Sequence, residues 1–425
     1  MSGAFIRFVH AADLRLDLPV LGLDEVPAHL LTALIDAPYE AAQRVFDTAI
    51  KENVDFLILS GNVVHPLRCG PRGIAFLLEQ FQRLAESNIN VYWIGGESDH
   101  ADRWPTAAEL PTNVQVFPPG KLEELSHFRG DEVICTLIGF SWDEARAVRP
   151  VDYNPDSSGQ FTIGICSGDF TGDQLAEEEL HFWALGGRPN REVLYSNQTF
   201  AGYAGSPQGR DVDQPGAHGC QVVHVDPEHR IRVQFVPTDS VRWHVEHVQF
   251  ASEVSRHGLQ EQLRERMKKI EAEAADRTTL VRFNIEGLAR SRGVRYEHLE
   301  AELASLLRHE FGHGANAVWV ADVNVKPPAQ LPAMWYEEDT LLGDYLRLLR
   351  EVQEDDELDL ELETMLAGRV ADEAASLVRW EDDAQRQRVL QDAALLGVDL
   401  LRSGEMALDP LALAGPVSSS KEKPQ

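Results

Sequence analysis

The stretch "AFIRFVHAADLRLD", Ala4 to Asp17, decides how the chain is read. A short apolar run rich in β-favouring side chains gives way to a polar segment whose first acid is Asp13. A strand that delivers a carboxylate from its C-terminal end is the usual beginning of an oxygen-ligand site for a divalent cation. A second ligand belongs two residues on, on the same side of the chain, and the residue there is Arg15. Either a cation site has changed its chemistry or it has lost its cation.

The surroundings of that strand set its context. "PYEAAQRVFDTAIKENV" reads as a helix with Ala41, Val45 and Ala49 on one face; "DFLILSGN" is a buried strand, "GIAFLLEQFQRLAESN" a second helix and "INVYWIGG" a further strand. This alternation predicts a layered α/β fold with polar loops at the strand ends. From "VICTLIGFSW" to "RIRVQFVPTDS" strands follow with few helices between them, which predicts a second, more antiparallel sheet. The rhythm then changes. Leu259, Leu263, Met267 and Ile270 form a helical stripe, and "LVRFNIEG" alternates as a half-buried strand. A helix around "YEHLEAELASLLRHE" and the strand "AVWVADVNV" complete a small α-β-α-β unit, after which "KPPAQLP" punctuates the chain. Helices alone follow. The expected organisation is a first domain over 1–245, an α/β cap over 246–326, a helical region over 327–415 and a disordered tail over 416–425.

At 425 residues the chain is too long for one small core, and its composition, 43% hydrophobic and 25% charged, is that of a globular protein. The net charge of −30 repels phosphate backbones and argues against passive nucleic-acid binding, so DNA is expected only as an indirect or weak partner. No apolar run approaches the roughly 18 residues needed to cross a bilayer. The N-terminus meets charge too early for a signal peptide, which makes the cytoplasm the expected location and a membrane partner unexpected. Cys69, Cys135, Cys166 and Cys220 are far apart and contain no C-x-x-C pair, as suits small core residues.

The order of elements and the residues at the strand ends resemble the calcineurin-like metallophosphoesterases, and within them the DNA repair exonuclease branch, the nuclease subunit of double-strand-break repair complexes. The resemblance covers about residues 4 to 326 and implies an α/β/β/α sandwich with a small α/β capping domain. It also implies two cations, generally manganese, held by Asp-x-His, Gly-Asp, Gly-Asn-His-Asp, a lone His and Gly-His-x-His. Such a pair polarises a phosphodiester and lowers the pKa of an attacking water.

At those places this chain departs from the pattern. Asp13 matches the first ligand, but Arg15 stands where the His belongs. Asn62 replaces the bridging carboxylate after Gly61. In "GGESDH", Glu97 and Ser98 replace Asn and His while Asp99 remains. Ser167 takes the place of the lone His, and Gly187 and Pro189 replace both histidines around Arg188. No catalytic residue and no metal are therefore expected. Arg15 is expected to satisfy Asp13 and Asp99 as a cation once did, since a buried carboxylate without a partner is costly. His65 and His100 are the residues able to rebuild a rearranged site, which would use manganese.

Other motifs read more plainly. "HEFGH", His309 to His313, has the H-E-x-x-H pattern of zinc proteases, but Gly312 and Gly314 mark a helix end. "SGD" and "GSPQG" read as turns, "RERMKK" as a solvated helix face, and Trp93, Trp142 and Trp183 as core. The acidic run from Glu351 to Glu363 reads as a solvated or partner-facing surface.

Three functions follow. The first is a catalytically degenerate homologue of a DNA repair exonuclease, serving as a scaffold or regulatory subunit. The resemblance implies an SMC-like coiled-coil ATPase docked on the C-terminal helices, through Leu346, Leu349, Val352, Leu395 and Leu400, the alternative being that these helices pack back on their own cap, and a homodimer through the phosphoesterase domain. The second is an active phosphoesterase or nuclease with a rearranged site. The third is an anion- or nucleotide-binding module with Arg15 and Arg188 as contacts.

Overall fold

Period-two alternation builds the first sheet. In β1 (Ile6–Ala11), Ile6 and Phe8 face one layer while Val9 and Ala11 face the other. β1 runs parallel to β2 (Phe56–Ser60), β2 to β3 (Asn90–Ile94) and β3 to β4 (Val114–Val116). On its other side β1 pairs antiparallel with β11 (Gly219–Val225), which pairs with β12 (Ile231–Pro237). Val9, Ala11, Leu57, Leu59 and Val91 lie under α1 (Ala28–Lys51) and α2 (Gly70–Glu86). The computed structural model describes residues 6–100, 103–144, 149–153, 160–176, 180–250, 255–274, 277–286, 296–314, 316–326, 331, 333–354 and 383–402. The tail over 416–425 and most of the acidic run lie outside them.

Helix α1 begins ten residues before Pro38, the position where the sequence reading starts it, and Pro38 lies inside the helix. Proline ordinarily opens a helix because it lacks an N–H to donate. Here the extra turns bury Leu30, Leu34 and Ala37 beside Val241 and Trp243, and that packing outweighs the lost hydrogen bond.

The second sheet has the order β5 (Glu123–Arg129), β6 (Glu132–Gly139), β7 (Phe161–Ser167), β8 (Phe182–Gly186), β10 (Phe200–Tyr203), β9 (Glu192–Ser196). Contrary to expectation it is mainly parallel: β6, β7, β8 and β10 run the same way, and antiparallel pairing is confined to its edges. The cue that misled is the scarcity of helices in the crossovers, where the described helix α3 (Gly172–Ala176) has only five residues. The outer face buries Trp183, Leu185, Ala201 and Tyr203 against Tyr153, Leu175 and Leu180.

Between the sheets lies an aromatic stack. Phe8 stacks on Phe56 at 5.1 Å and meets Phe182 edge-on at 5.1 Å, and Phe182 stacks on Phe200 at 4.9 Å. Each such side chain contributes about 1.5–3 kcal/mol by burial. At the C-terminal strand ends the sheets close to backbone contact. A Cβ at Gly186 would sit 1.7 Å from the Ser60 carbonyl oxygen, so only glycine fits there. Ser60 Oγ donates to the Ala184 carbonyl at 3.1 Å and accepts from His10 Nε2 at 2.9 Å. Burial pushes His10 down to about 4, keeping that imidazole neutral.

A third sheet joins β13 (Val241–Gln249), β14 (Thr278–Glu286) and β15 (Val318–Val325). The stripe Leu259, Leu263, Met267, Ile270 of α4 (Arg256–Ala274) is buried, and β14 buries Val281, Phe283 and Ile285. By packing, the chain forms two units, one of residues 1–246, 260–284 and 303–324, the other of 247–259, 285–302 and 325–425. The first holds both large sheets, an α/β/β/α sandwich. In the second, α6 (Ala333–Glu337), α7 (Leu341–Glu354) and α8 (Asp383–Arg402) pack on one another through Trp335, Leu342, Leu346, Ala394 and Val398.

Replacing Gly186 with alanine should force the sheets apart and destabilise the protein by about 3 kcal/mol or more in urea unfolding. Gly172→Ala, whose Cβ would meet nothing nearer than 3.7 Å, should stay within about 1 kcal/mol of wild type. Equal stability of the two variants would contradict this account of the inter-sheet contact.

Candidate functional site

The C-terminal ends of β1, β2, β3, β7 and β8 deliver the residues singled out from sequence, all within the first unit. Loop 13–16 runs beside loop 61–63: Asp13 N–H bonds the Gly61 carbonyl at 3.0 Å, Arg15 N–H the Asn62 carbonyl at 3.0 Å and Leu16 N–H the Val63 carbonyl at 3.2 Å. Asp13 (φ 53°), Arg15 (φ 44°) and Asn62 (φ 53°) occupy the left-handed region. Asp and Asn enter it at modest cost, whereas Arg does so only under constraint from its neighbours.

Asn62 joins the loops. Its Nδ2 donates to Asp13 Oδ1 at 2.9 Å, and its Oδ1 accepts from Ser98 N–H at 3.1 Å and Ser98 Oγ at 2.9 Å. Asp13 Oδ2 accepts the Gly187 N–H at 2.8 Å. Burial pushes the Asp13 carboxyl up to about 6, opposed first by the Asn62 and Gly187 hydrogen bonds and then by the charges of Arg210 and Arg15. Asp99 is fully enclosed. Its oxygens accept N–H groups from Asn62 (2.7 Å), Val63 (2.9 Å), Gly96 (2.6 Å) and the Trp93 indole (3.1 Å). Burial raises this carboxyl to about 7 against the pull of those donors.

That arrangement narrows the expected role of Arg15, whose charge acts on Asp13 but ranks last among the groups that hold its carboxyl down. Backbone and indole dipoles satisfy Asp99, and an amide with a backbone N–H satisfies Asp13. Arg15 instead lies with its Nε 3.9 Å from Asp17 Oδ1, an oxygen that also accepts the His65 N–H at 3.0 Å. Loop register causes the change: the left-handed turn at Asp13 and Arg15 carries the guanidinium past the ring to the next acid.

The other positions distribute themselves around the ring. Ser167 is nearly buried, and its Oγ would lie 3.0 Å from a Cβ at Gly61. Glu97, Gly187 and Pro189 are exposed. Arg188 pairs with Asp169 and Glu192, donates to the Phe170 carbonyl at 3.1 Å and lies 4.4 Å over the Tyr203 ring. His100 meets Trp142 edge-on at 4.7 Å, and His65 Nδ1 is buried with no hydrogen-bond partner among the described residues. Sequence reading missed Arg210, which follows the "GSPQG" turn. Its buried guanidinium donates to Ser206 Oγ (2.5 Å) and to the Gln208 (3.0 Å), Leu14 (2.7 Å) and Arg15 (3.3 Å) carbonyls, stitching that turn to the Asp13 loop. An arginine after a glycine-rich turn is the signal that could have revealed it.

A pair of cations needs converging lone pairs, and this ring turns donors inward. Both Asp13 oxygens already hold N–H groups, Asn62 presents an amide N–H, Asp99 has no free oxygen, and Arg15 adds positive charge nearby. Among the described residues no three His, Cys, Asp or Glu side chains gather as cation ligands would. The residues present do not fit a two-metal centre. The H-E-x-x-H motif also dissolves. Helix α5 (Tyr296–Phe311) stops before His313, whose Nε2 bonds the His309 carbonyl at 2.6 Å, while Glu310 pairs with Arg264 at 2.8 Å. Arg264 and Arg266 of "RERMKK" pair with Glu261, Glu310 and Glu246, a solvated face.

Asp99→Ala should cost about 3–5 kcal/mol, since it strands four N–H groups, while Arg15→Ala should change stability by less than about 1 kcal/mol. A larger loss for Arg15→Ala in the same chemical denaturation would restore the guanidinium to the centre of the site. Asp13 has its folded pKa raised above the unfolded value, so its contribution is complete below about pH 4 and is lost as pH rises through about 6. The stability difference between wild type and Asp13→Asn should therefore shrink as pH rises from 5 to 8, and a difference that is flat or grows over that range would contradict it.

No family model matches the chain. The chain is 32% identical over 235 residues to the uncharacterized metallophosphoesterase YhaO of Bacillus subtilis (strain 168), a match that takes in 52% of this chain and 57% of that protein. It thus spans a little over half the length of the curated relative it matches. The homologue is a metallophosphoesterase, and the two facing sheets with their helices are the architecture of a phosphoesterase fold.

Proposed function

We propose that this chain is a catalytically degenerate homologue of a DNA repair exonuclease that keeps the phosphoesterase fold as a scaffold or regulatory subunit. The observation that carries the reading is the direction of the Asn62 amide. A residue that turns an N–H toward Asp13, where a bridging ligand would have to offer a lone pair to a metal, leaves no route to an activated water. The net charge of −30 supports an indirect relation to DNA, through a partner that makes the phosphate contacts. That partner is an SMC-like coiled-coil ATPase on the C-terminal helices. Leu346, Val352 and Leu395, expected to face that partner, are instead buried within this chain and Leu349 partly so, which leaves Leu348, Leu396 and Leu400 exposed on the surface it would cover. Among the described residues no helix is long and apolar enough to cross a membrane.

A second reading has one observation in its favour. Arg15 Nε has no hydrogen-bond partner among the described residues and lies 3.9 Å from Asp17 Oδ1, which suits a contact for an anion, whereas Arg188 is held closely by two carboxylates.

Purified protein should contain less than about 0.1 equivalent of manganese after dialysis, should not hydrolyse bis-(p-nitrophenyl) phosphate or linear duplex DNA, and should co-purify with a coiled-coil ATPase. Stoichiometric metal with turnover would overturn the reading. Thermal stabilisation by nucleotides, abolished by Arg15→Ala, would replace it with the anion-binding one.

A further inference from the structure

We propose that Asn62 makes the loops of this cleft cohere without a cation, and that exchanging its amide nitrogen for oxygen converts the ring into one that requires a cation. The inference rests on the degenerate-site reading and deepens it, because it names the residue that decides between the two states.

The amide has no freedom to turn. Both Ser98 donors fall on Oδ1, which leaves Nδ2 for Asp13. Asp13 cannot retreat without giving up the Gly187 N–H on its other oxygen. The Asn62 backbone is fixed as well, since its own N–H and that of Val63 are both taken by Asp99. Aspartate has nearly the shape of asparagine, so Asn62→Asp places a carboxylate oxygen where Nδ2 stood, 2.9 Å from Asp13 Oδ1. Two carboxylates at that separation repel unless a cation or a shared proton lies between them, so the effect of manganese should grow as pH rises. The Ser98 hydroxyl and N–H keep their acceptor on the unchanged oxygen of residue 62, so the new oxygen is the one left facing Asp13.

The decisive variant is the exchanged pair, Asp13→Asn with Asn62→Asp, in which the amide and the carboxylate trade places. The amide now on the first loop donates to the carboxylate now on the second, Ser98 still has an acceptor on the second loop, and the Gly187 N–H still has one on the first. The single variant Asn62→Asp should lose about tenfold to a hundredfold in its folding equilibrium constant in metal-free buffer. Millimolar manganese should restore it. The double variant should return to within about tenfold of wild type without metal, and wild type should respond neither to EDTA nor to manganese. If Asn62→Asp does not fold, the double variant alone decides: recovery of soluble, cooperatively unfolding protein supports the inference. A double variant no better than the single one, a single variant as stable as wild type, or stabilisation of wild type by manganese overturns it. Phosphodiester hydrolysis by wild type would instead sink the functional reading beneath it, which separates the two failures.

Discussion

The site depends on one contact: the approach of the two sheets at Ser60 and Gly186, where a single added carbon would meet the opposing backbone at 1.7 Å. Because the strands meet so closely, the residues that follow them, Gly61 and Asn62 on one sheet and Gly187 on the other, arrive within hydrogen-bond reach of the same residue, Asp13. The Ser60 hydroxyl fixes the spacing by bonding across to Ala184, and the neutral His10 supports it from below. None of these groups needs an ion. Sheet packing makes the cradle, and whatever fills it is a separate matter of side-chain chemistry.

That separation explains how ligand positions can change while the loops keep their paths. Asp99 binds the backbone of the β2 loop and the β3 loop together through N–H groups that any sequence would supply. A carboxylate held in this way is a structural clamp, and its burial is offset by dipoles instead of by a countercharge. Asn62 then does for Asp13 what Asp99 does for the loops. Left-handed backbone at Asp13, Arg15 and Asn62 persists because the ladder between loops 13–16 and 61–63 over-determines it.

Much of the fold was legible in the sequence. The apolar runs of β1, β2 and β3, the alternation in β14 and the helical stripes of α1 and α4 reflect burial, and burial is the term that propensity and pattern both report. Pairing direction in the second sheet was not legible, since a short crossover without a helix leaves the same local pattern whether the next strand is parallel or antiparallel. The start of α1 was hidden for a related reason: Pro38 is a strong local signal, and only the distant Val241 and Trp243 show why it is overridden. At the site, residue types named the side chains that stand at the strand ends, but not the partners that satisfy them. Arg15 reads as a countercharge because the charges are visible in one dimension. The donors that satisfy Asp13 and Asp99 are mostly backbone N–H groups, which every residue but proline carries and no sequence pattern announces.

Similarity to a metallophosphoesterase over half the chain therefore speaks first to the sandwich, because that is what the apolar periodicity specifies. Activity of that kind would need acceptors aimed at a common point, and the ring at Asn62 aims a donor there instead. A rearranged centre could not arise by moving one histidine inward. His100 is seated against Trp142, and admitting a cation would first mean replacing the Asn62 N–H that Asp13 holds. The same hydrogen bonds that hold the loops together occupy the oxygens that a cation would need, so loop cohesion and metal binding draw on one set of groups.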